Sequence, residues 1–199
     1  MRAAFLTAVA LFGLWGRPAP PPNPNGNIRF EGNHSFSSGQ LLAILRNRYY
    51  IPLEGAFGVT AADDGAYFLR TFYFSRGFRD AHAGYTYHAG SPPSVLFVIE
   101  EGGQYFIGVV SFEGEAALPP DRLREIFNAT VRQATLRPFG RMRYVSSAIE
   151  AGRQAIVNAL IQHGYLTATA DVSEPARAQN GLVDLRVREL RPADRRRRR

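Results

Sequence analysis

The feature that most constrains this chain is that it repeats itself. Ile28-Arg29-Phe30-Glu31-Gly32 returns as Val110-Ser111-Phe112-Glu113-Gly114, an offset of 82 residues (112 − 30). The same offset pairs Leu41 with Leu123, Ile44 with Ile126 and Leu45 with Phe127. Further on, Gly77-Phe78-Arg79-Asp80-Ala81-His82-Ala83 returns as Gly164-Tyr165-Leu166-Thr167-Ala168-Thr169-Ala170 at an offset of 87 (164 − 77). An insertion of five residues (87 − 82) between the paired segments explains the drift. A period of roughly 80 residues is a duplicated domain, since solenoid repeats run about 20 to 50. Residues 27–102 and 103–190 are the two expected units.

Each copy reads strand, helix, helix, strand, strand. In the first, Ile28 and Phe30 alternate with polar neighbours, and Gly32-Asn33 ends the strand. Ser37 and Gln40 form a capping box, Phe36 can staple onto Leu41, and Leu41, Ile44 and Leu45 give the stripe of a buried helix face. Thr60 with Asp63 is expected to start a second helix, with Ala62, Ala66, Leu69 and Tyr73 inward, Asp63-Asp64 in its first turn and Gly77 as its stop. Strands over 79–88 and 94–100 follow, around Gly90-Ser91-Pro92-Pro93. In the second unit a strand over about 105–113 precedes a helix opened by Pro119-Pro120-Asp121. Ser147 and Glu150 are expected to box a longer helix that buries Ile149, Ile156 and Leu160 before Gly164, and strands near 165–173 and 182–189 close the unit. The fold class is α+β, with two helices on one face of each small three-stranded sheet.

Composition decides less than it first suggests. The net charge of +7 includes Arg195 to Arg199, Arg2 and Arg17; without those seven, 17 basic residues face 17 acidic ones (24 − 7). The folded part is formally neutral, which removes the main argument for nucleic acid as a partner. Cysteine is absent, so disulfides, thiolate metal sites and thiol nucleophiles are all excluded. Arg2 followed by the apolar run Ala3 to Trp15 has the form of a secretory leader, expected over residues 1–19. As a helix that run rises only about 20 Å, short for a bilayer. Residues 20–26 read as a proline-rich extended spacer, and 191–199 as a disordered, Arg-rich tail that could alternatively dock on an anionic membrane surface.

The chain resembles the polypeptide-transport-associated (POTRA) family of BamA-type outer-membrane assembly factors. The resemblance is carried by Ile28-x-Phe30-x-Gly32-Asn33-x-x-Phe36, by Gly77-Phe78-x-x-Ala81, and by Val95-x-Phe97-x-Ile99-Glu100-Glu101-Gly102. The last of these runs directly into Gln104-Tyr105-x-Ile107-Gly108-x-Val110-x-Phe112-x-Gly114. It covers about residues 27 to 190 and implies two tandem β-α-α-β-β POTRA-like domains, each a three-stranded mixed sheet covered on one face by two helices. It further implies a periplasmic protein associated with the outer membrane, with no enzymatic activity and no cofactor. The implied partners are unfolded outer-membrane proteins or secreted polypeptides, an outer-membrane β-barrel, and assembly-complex subunits.

In such a module the client pairs with an exposed sheet edge. Carried onto this chain, the second strand of each unit supplies the edge: Asp80, His82, Gly84, Tyr85, Thr86, Tyr87 and His88, then Thr167, Thr169, Asp171 and Ser173. Tyr85 and Tyr87, if exposed, would add contact area; the alternative is that they pack on their own sheet. A two-partner secretion transporter also carries two such units after a proline-rich segment. The family usually continues into a barrel of about sixteen strands, on the order of 300 residues, so a fragment of a barrel protein is the further alternative.

Sharper chemistry finds little support. His82 and His88 share a predicted strand face without a third metal ligand. Ser, His and Asp occur without a nucleophile elbow, and Gly102-Gly103 lacks the spacing of a phosphate loop.

Overall fold

The computed structural model describes residues 27–53, 57–113, 118–136, 139–174 and 181–190. The expected leader, the proline-rich spacer and the Arg-rich tail lie outside the described residues. The first unit contains β1 (Ile28–Glu31), α1 (Ser38–Asn47), α2 (Val59–Ser75), β2 (His82–His88) and β3 (Ser94–Glu100). The second contains β4 (Phe106–Glu113), α3 (Pro120–Ala134), α4 (Ser146–Gln162), β5 (Thr169–Ser173) and β6 (Leu182–Leu190). Each sheet has its last strand in the middle, in the orders β1-β3-β2 and β4-β6-β5. The first strand of each pairs with it in parallel and the second antiparallel, so both sheets are mixed.

Two hydrophobic cores form, one per sheet, each closed by the two helices of its own unit. Ile28 and Phe30 of β1 sit opposite Val95 and Phe97 of β3, and the Phe30 and Phe97 rings stack at 5.4 Å. The Ser37 capping box is present, with the Ser37 hydroxyl accepting from the Gln40 amide and the Gln40 side chain accepting from the Ser37 amide. Ala62, Ala66, Leu69 and Tyr73 are buried along α2, and Ile149, Ile156 and Leu160 along α4. Gly77 and Gly164 follow these helices at φ 89° and 91°, the left-handed geometry that glycine adopts without a Cβ penalty.

Three expectations about helix starts are corrected. Helix α2 begins at Val59 behind Gly58, without a side-chain cap, so Thr60 and Asp63 form no box. Asp63-Asp64 therefore lie beyond the first turn, where they cannot serve its free amides. Helix α4 begins at Ser146 behind Val145, again without a side-chain cap, and Glu150 binds Arg153 instead of closing a box with Ser147.

The repeat predicts equal roles for Phe30 and Phe112, but the structure separates them. Phe30 is buried, whereas Phe112 is half-buried with the Arg124 guanidinium 6.0 Å from its ring centre. Phe30→Ala is expected to cost about 3 kcal/mol and Phe112→Ala about 1 to 2, because less apolar surface is lost at the second site. Urea unfolding followed by unit-resolved NMR signals checks this, and equal losses would contradict the burial difference.

Candidate functional site

The sequence pointed to the second strand of each unit, and among the described residues both β2 and β5 lie at a sheet edge, paired only with the central strand. His82 through His88 belong to β2, in register with Glu100 through Ser94 of β3. Thr169, Asp171 and Ser173 belong to β5, opposite Leu190, Arg188 and Arg186. Two residues of the expected edges do not. Asp80 and Thr167 occupy the same turn in the two units: the Phe78 and Tyr165 amides bond back to Tyr73 and Leu160, and the Ala81 and Ala168 amides bond to Phe78 and Tyr165. That turn takes the residues that alternation alone would assign to the strands.

Along β2 the exposed face carries His82, Gly84, Thr86 and His88, while Ala83, Tyr85 and Tyr87 pack half-buried against the core. Of the two readings of Tyr85 and Tyr87, the structure has them packing on their own sheet. The Tyr87 hydroxyl donates to the Phe57 carbonyl at 3.1 Å. Desolvation, and then the Asp63 carboxylate on α2, raise the Tyr85 hydroxyl above the ordinary phenol range. The period-two pattern Ala83, Tyr85, Tyr87 was the available signal. On the central strand, Leu96 is half-buried and Val98 exposed on the open face.

The residues of the sequence signature build the scaffold behind this edge. Gly32 turns at φ 78° directly under β3, where a Cβ would overlap the Ile99 carbonyl oxygen. Asn33 Nδ2 donates to the Phe36 carbonyl at 2.8 Å, and the Phe36 ring meets Phe72, Tyr73 and Phe78 edge-on. Glu101 is buried at the end of β3 and accepts from the Ser35 amide (2.8 Å), the Ser35 hydroxyl (2.6 Å) and the Tyr73 hydroxyl (2.8 Å). Burial pushes the Glu101 carboxyl up, but these donors, with His34 nearby, overcome it and hold the group below the usual carboxylate range. Burial and then the Glu101 bond push the Tyr73 hydroxyl far above its ordinary value. These groups fix a loop, a helix and a strand to one another.

Sequence reasoning missed the joint between the units, where Arg79 is central. Its guanidinium lies 4.7 Å from the Tyr144 ring centre and 5.5 Å from that of Tyr105, and donates to both oxygens of Glu174 at 3.0 and 2.9 Å. The Tyr144 hydroxyl donates to the same carboxylate at 2.6 Å. Two further bonds continue the joint, from the Tyr105 backbone amide to the Gly77 carbonyl and from the Gln104 side-chain amide to the Arg76 carbonyl. Arg79→Ala is expected to loosen the two units while leaving each folded, because it deletes the shared cation without touching either core. Residual dipolar couplings check this: one alignment frame for the wild-type chain, two for the variant.

A shallow groove of about 220 Å³ runs between α4 and the β5 edge, past Glu150, Arg153, Asp171, Ser173 and Glu174. Glu150 Oε1 and Oε2 take the Arg153 Nε at 3.0 and 2.9 Å, and Arg153 Nη1 donates to the Ala170 backbone carbonyl at 3.1 Å. On the opposite edge, β4 bulges where Gly108 and Val109 face Asp184, whose carboxylate accepts from the Val109 amide at 2.8 Å. Among the described residues no three His, Cys, Asp or Glu side chains gather to hold a metal. Among the same residues no helix is long and apolar enough to cross a membrane.

Comparison with known proteins agrees with this architecture. Residues 105–189 match the POTRA family model, described as a surface antigen variable number repeat. No curated protein sequence matches the chain. POTRA domains 3 to 5 of Haemophilus influenzae BamA align with a TM-score of 0.51 and 18% identity, over 81% of this chain and 63% of that one. A Haemophilus ducreyi BamA structure lacking POTRA domains 1 to 3 gives a TM-score of 0.45 at 15% identity, over 74% and 27% of the respective chains. CdiB from Escherichia coli gives 0.38 at 16%, over 83% and 26%. The chain thus spans less than two thirds of the length of each of these structures. The first alignment shows the fold, two consecutive POTRA-type units, and the family model matches the second of them.

Proposed function

We propose, with a tandem pair of POTRA-type units as the premise, that this protein is a non-catalytic, periplasmic polypeptide-binding module of an outer-membrane protein assembly or secretion machine. The observation that carries the reading is that, among the described residues, each sheet ends on a strand paired on one side only. An unpaired strand edge offers backbone donors and acceptors that an extended client can use whatever its side chains are. Sequence tolerance of that kind suits a protein that handles many clients. Weak binding follows as well, because a flexible client loses ordering entropy on pairing.

NMR titration with a synthetic outer-membrane-type strand peptide tests the reading. Shifts are expected at residues 82–88 or 169–173. Neighbouring amides of β2 point alternately toward β3 and away from it, so Thr86→Pro and Ala83→Pro sample both orientations. The outward one is expected to stay folded and to lose binding at β2, since proline removes the donor. Shifts confined to the helices, or full binding by both folded proline variants, would overturn edge pairing there.

A further inference from the structure

The two edges are not equivalent. The offset of 87 residues that relates α2 to α4 places Gly65 on Gly152, Asp63 on Glu150 and Ala66 on Arg153. In the first unit Ala66 is a buried methyl, and Asp63 engages Tyr85, whose side chain lies on the helix-covered side of the sheet. In the second unit Arg153 is held by Glu150 on its own helix and reaches across to the Ala170 carbonyl of β5. Its Nη2 is further bonded to Gln154 Oε1 at 3.2 Å, so three polar partners fix the guanidinium in place.

We infer that Arg153 guards the β5 edge, so that β2 is the strand with which a client polypeptide pairs. The inference rests on the polypeptide-binding reading above and specifies where it operates. An incoming strand completes a ladder by donating its amides to edge carbonyls, and Ala170 already receives a charge-assisted bond. To pair there, a client must exchange that bond for a neutral one and push aside a cation anchored to Glu150. One such exchange corresponds to about tenfold in affinity. At β2 the corresponding helix position carries a methyl group, which donates nothing. The open ladder is also longer, seven residues in β2 against five in β5.

The test uses the full chain and a soluble peptide of alternating valine and threonine, with amide shifts followed at both strands. In the wild type, shifts are expected on β2 alone, with one peptide bound per chain. Arg153→Met keeps the apolar stem of the side chain but removes its donors, and is expected to add a second set of shifts at residues 169–173 and a second bound peptide. Glu150→Ala removes the anchor while retaining the guanidinium, and is expected to give weaker binding at β5 than Arg153→Met. It also serves if Arg153→Met does not fold. Wild-type binding at β5 as strong as at β2 would overturn the guard and leave the polypeptide-binding reading intact. So would folded variants that gain no β5 shifts while still binding at β2. Absence of binding at either strand in the wild type and both variants would overturn the reading itself, and the guard with it.

Discussion

Replacing Gly32 with Ala is expected to unfold the first unit while leaving the second folded. At φ 78° a side chain costs about 1 to 2 kcal/mol before any contact is considered. The added Cβ would also overlap the Ile99 carbonyl oxygen, which belongs to the backbone of β3 and can yield only by shifting the ladder. Overpacking against rigid structure adds on the order of 3 kcal/mol. The total of about 4 to 5 kcal/mol approaches the whole reserve of a small domain. Gly39→Ala is the control, because a Cβ there meets nothing within 4 Å inside α1 and is expected to stabilise slightly. Urea unfolding read from NMR signals of each unit decides the matter, and a loss below about 1 kcal/mol for Gly32→Ala would mean the turn is built differently.

Glu101→Gln carries the second large effect. The carboxylate accepts three bonds from Ser35 and Tyr73. An amide keeps one oxygen for the Ser35 amide and the Tyr73 hydroxyl and turns its nitrogen to the Ser35 hydroxyl, which rotates to accept, so the network is kept but its charge-assisted bonds become neutral ones. The expected cost is about 2 to 3 kcal/mol, from exchanging charge-assisted bonds for neutral ones. The same network predicts acid sensitivity. The folded Glu101 carboxyl is held below its unfolded value. Its stabilisation is therefore complete above the unfolded pKa of about 4.3 and is lost as pH falls through the folded value. Stability measured against pH should show this loss in the wild type and lack it in Glu101→Gln. Tyr73 works in the opposite direction: its raised value makes its contribution complete below about pH 10 and lost at more alkaline pH.

How much of this was legible beforehand depends on the range of the interaction. The repeat shows when the chain is laid against itself, and the strand and helix order and the buried stripes of α1 and α2 are short-period patterns that the chain states openly. Gly32 could be read as a turn, but the reason only glycine fits is the Ile99 carbonyl, 67 residues away (99 − 32). Gly65 and Gly152 are offset by the same 87 residues as Gly77 and Gly164, so the repeat contained them. Their role lies in the Phe97 and Phe127 rings that pass beneath, which no local pattern reveals. Glu101 sits in the junction that the sequence singled out, yet its partners come from a loop and a helix that only folding brings together. At the proposed edges the strands themselves were legible. The turn at Asp80 and Thr167 rests on local backbone bonds that side-chain alternation does not show, the inward tyrosines follow a period-two pattern whose buried side only the helices decide, and the hold of Arg153 on Ala170 joins a helix to a strand. The Arg79 joint was least accessible, since it joins residues from both copies and a repeat describes each copy alone.

The parallel pairing of β1 with β3, and of β4 with β6, also has a mechanical meaning. In each unit the strand where the chain enters lies beside the strand where it leaves, over four registered pairs in the first ladder and six in the second. Pulling on the two ends of a unit slides these strands past one another along their length. The interstrand bonds are then strained together in shear, rather than peeled one at a time as in a hairpin opened from its end. A chain of such units resists stretching along its axis, and force applied to one end passes through each sheet to the next before any unit yields.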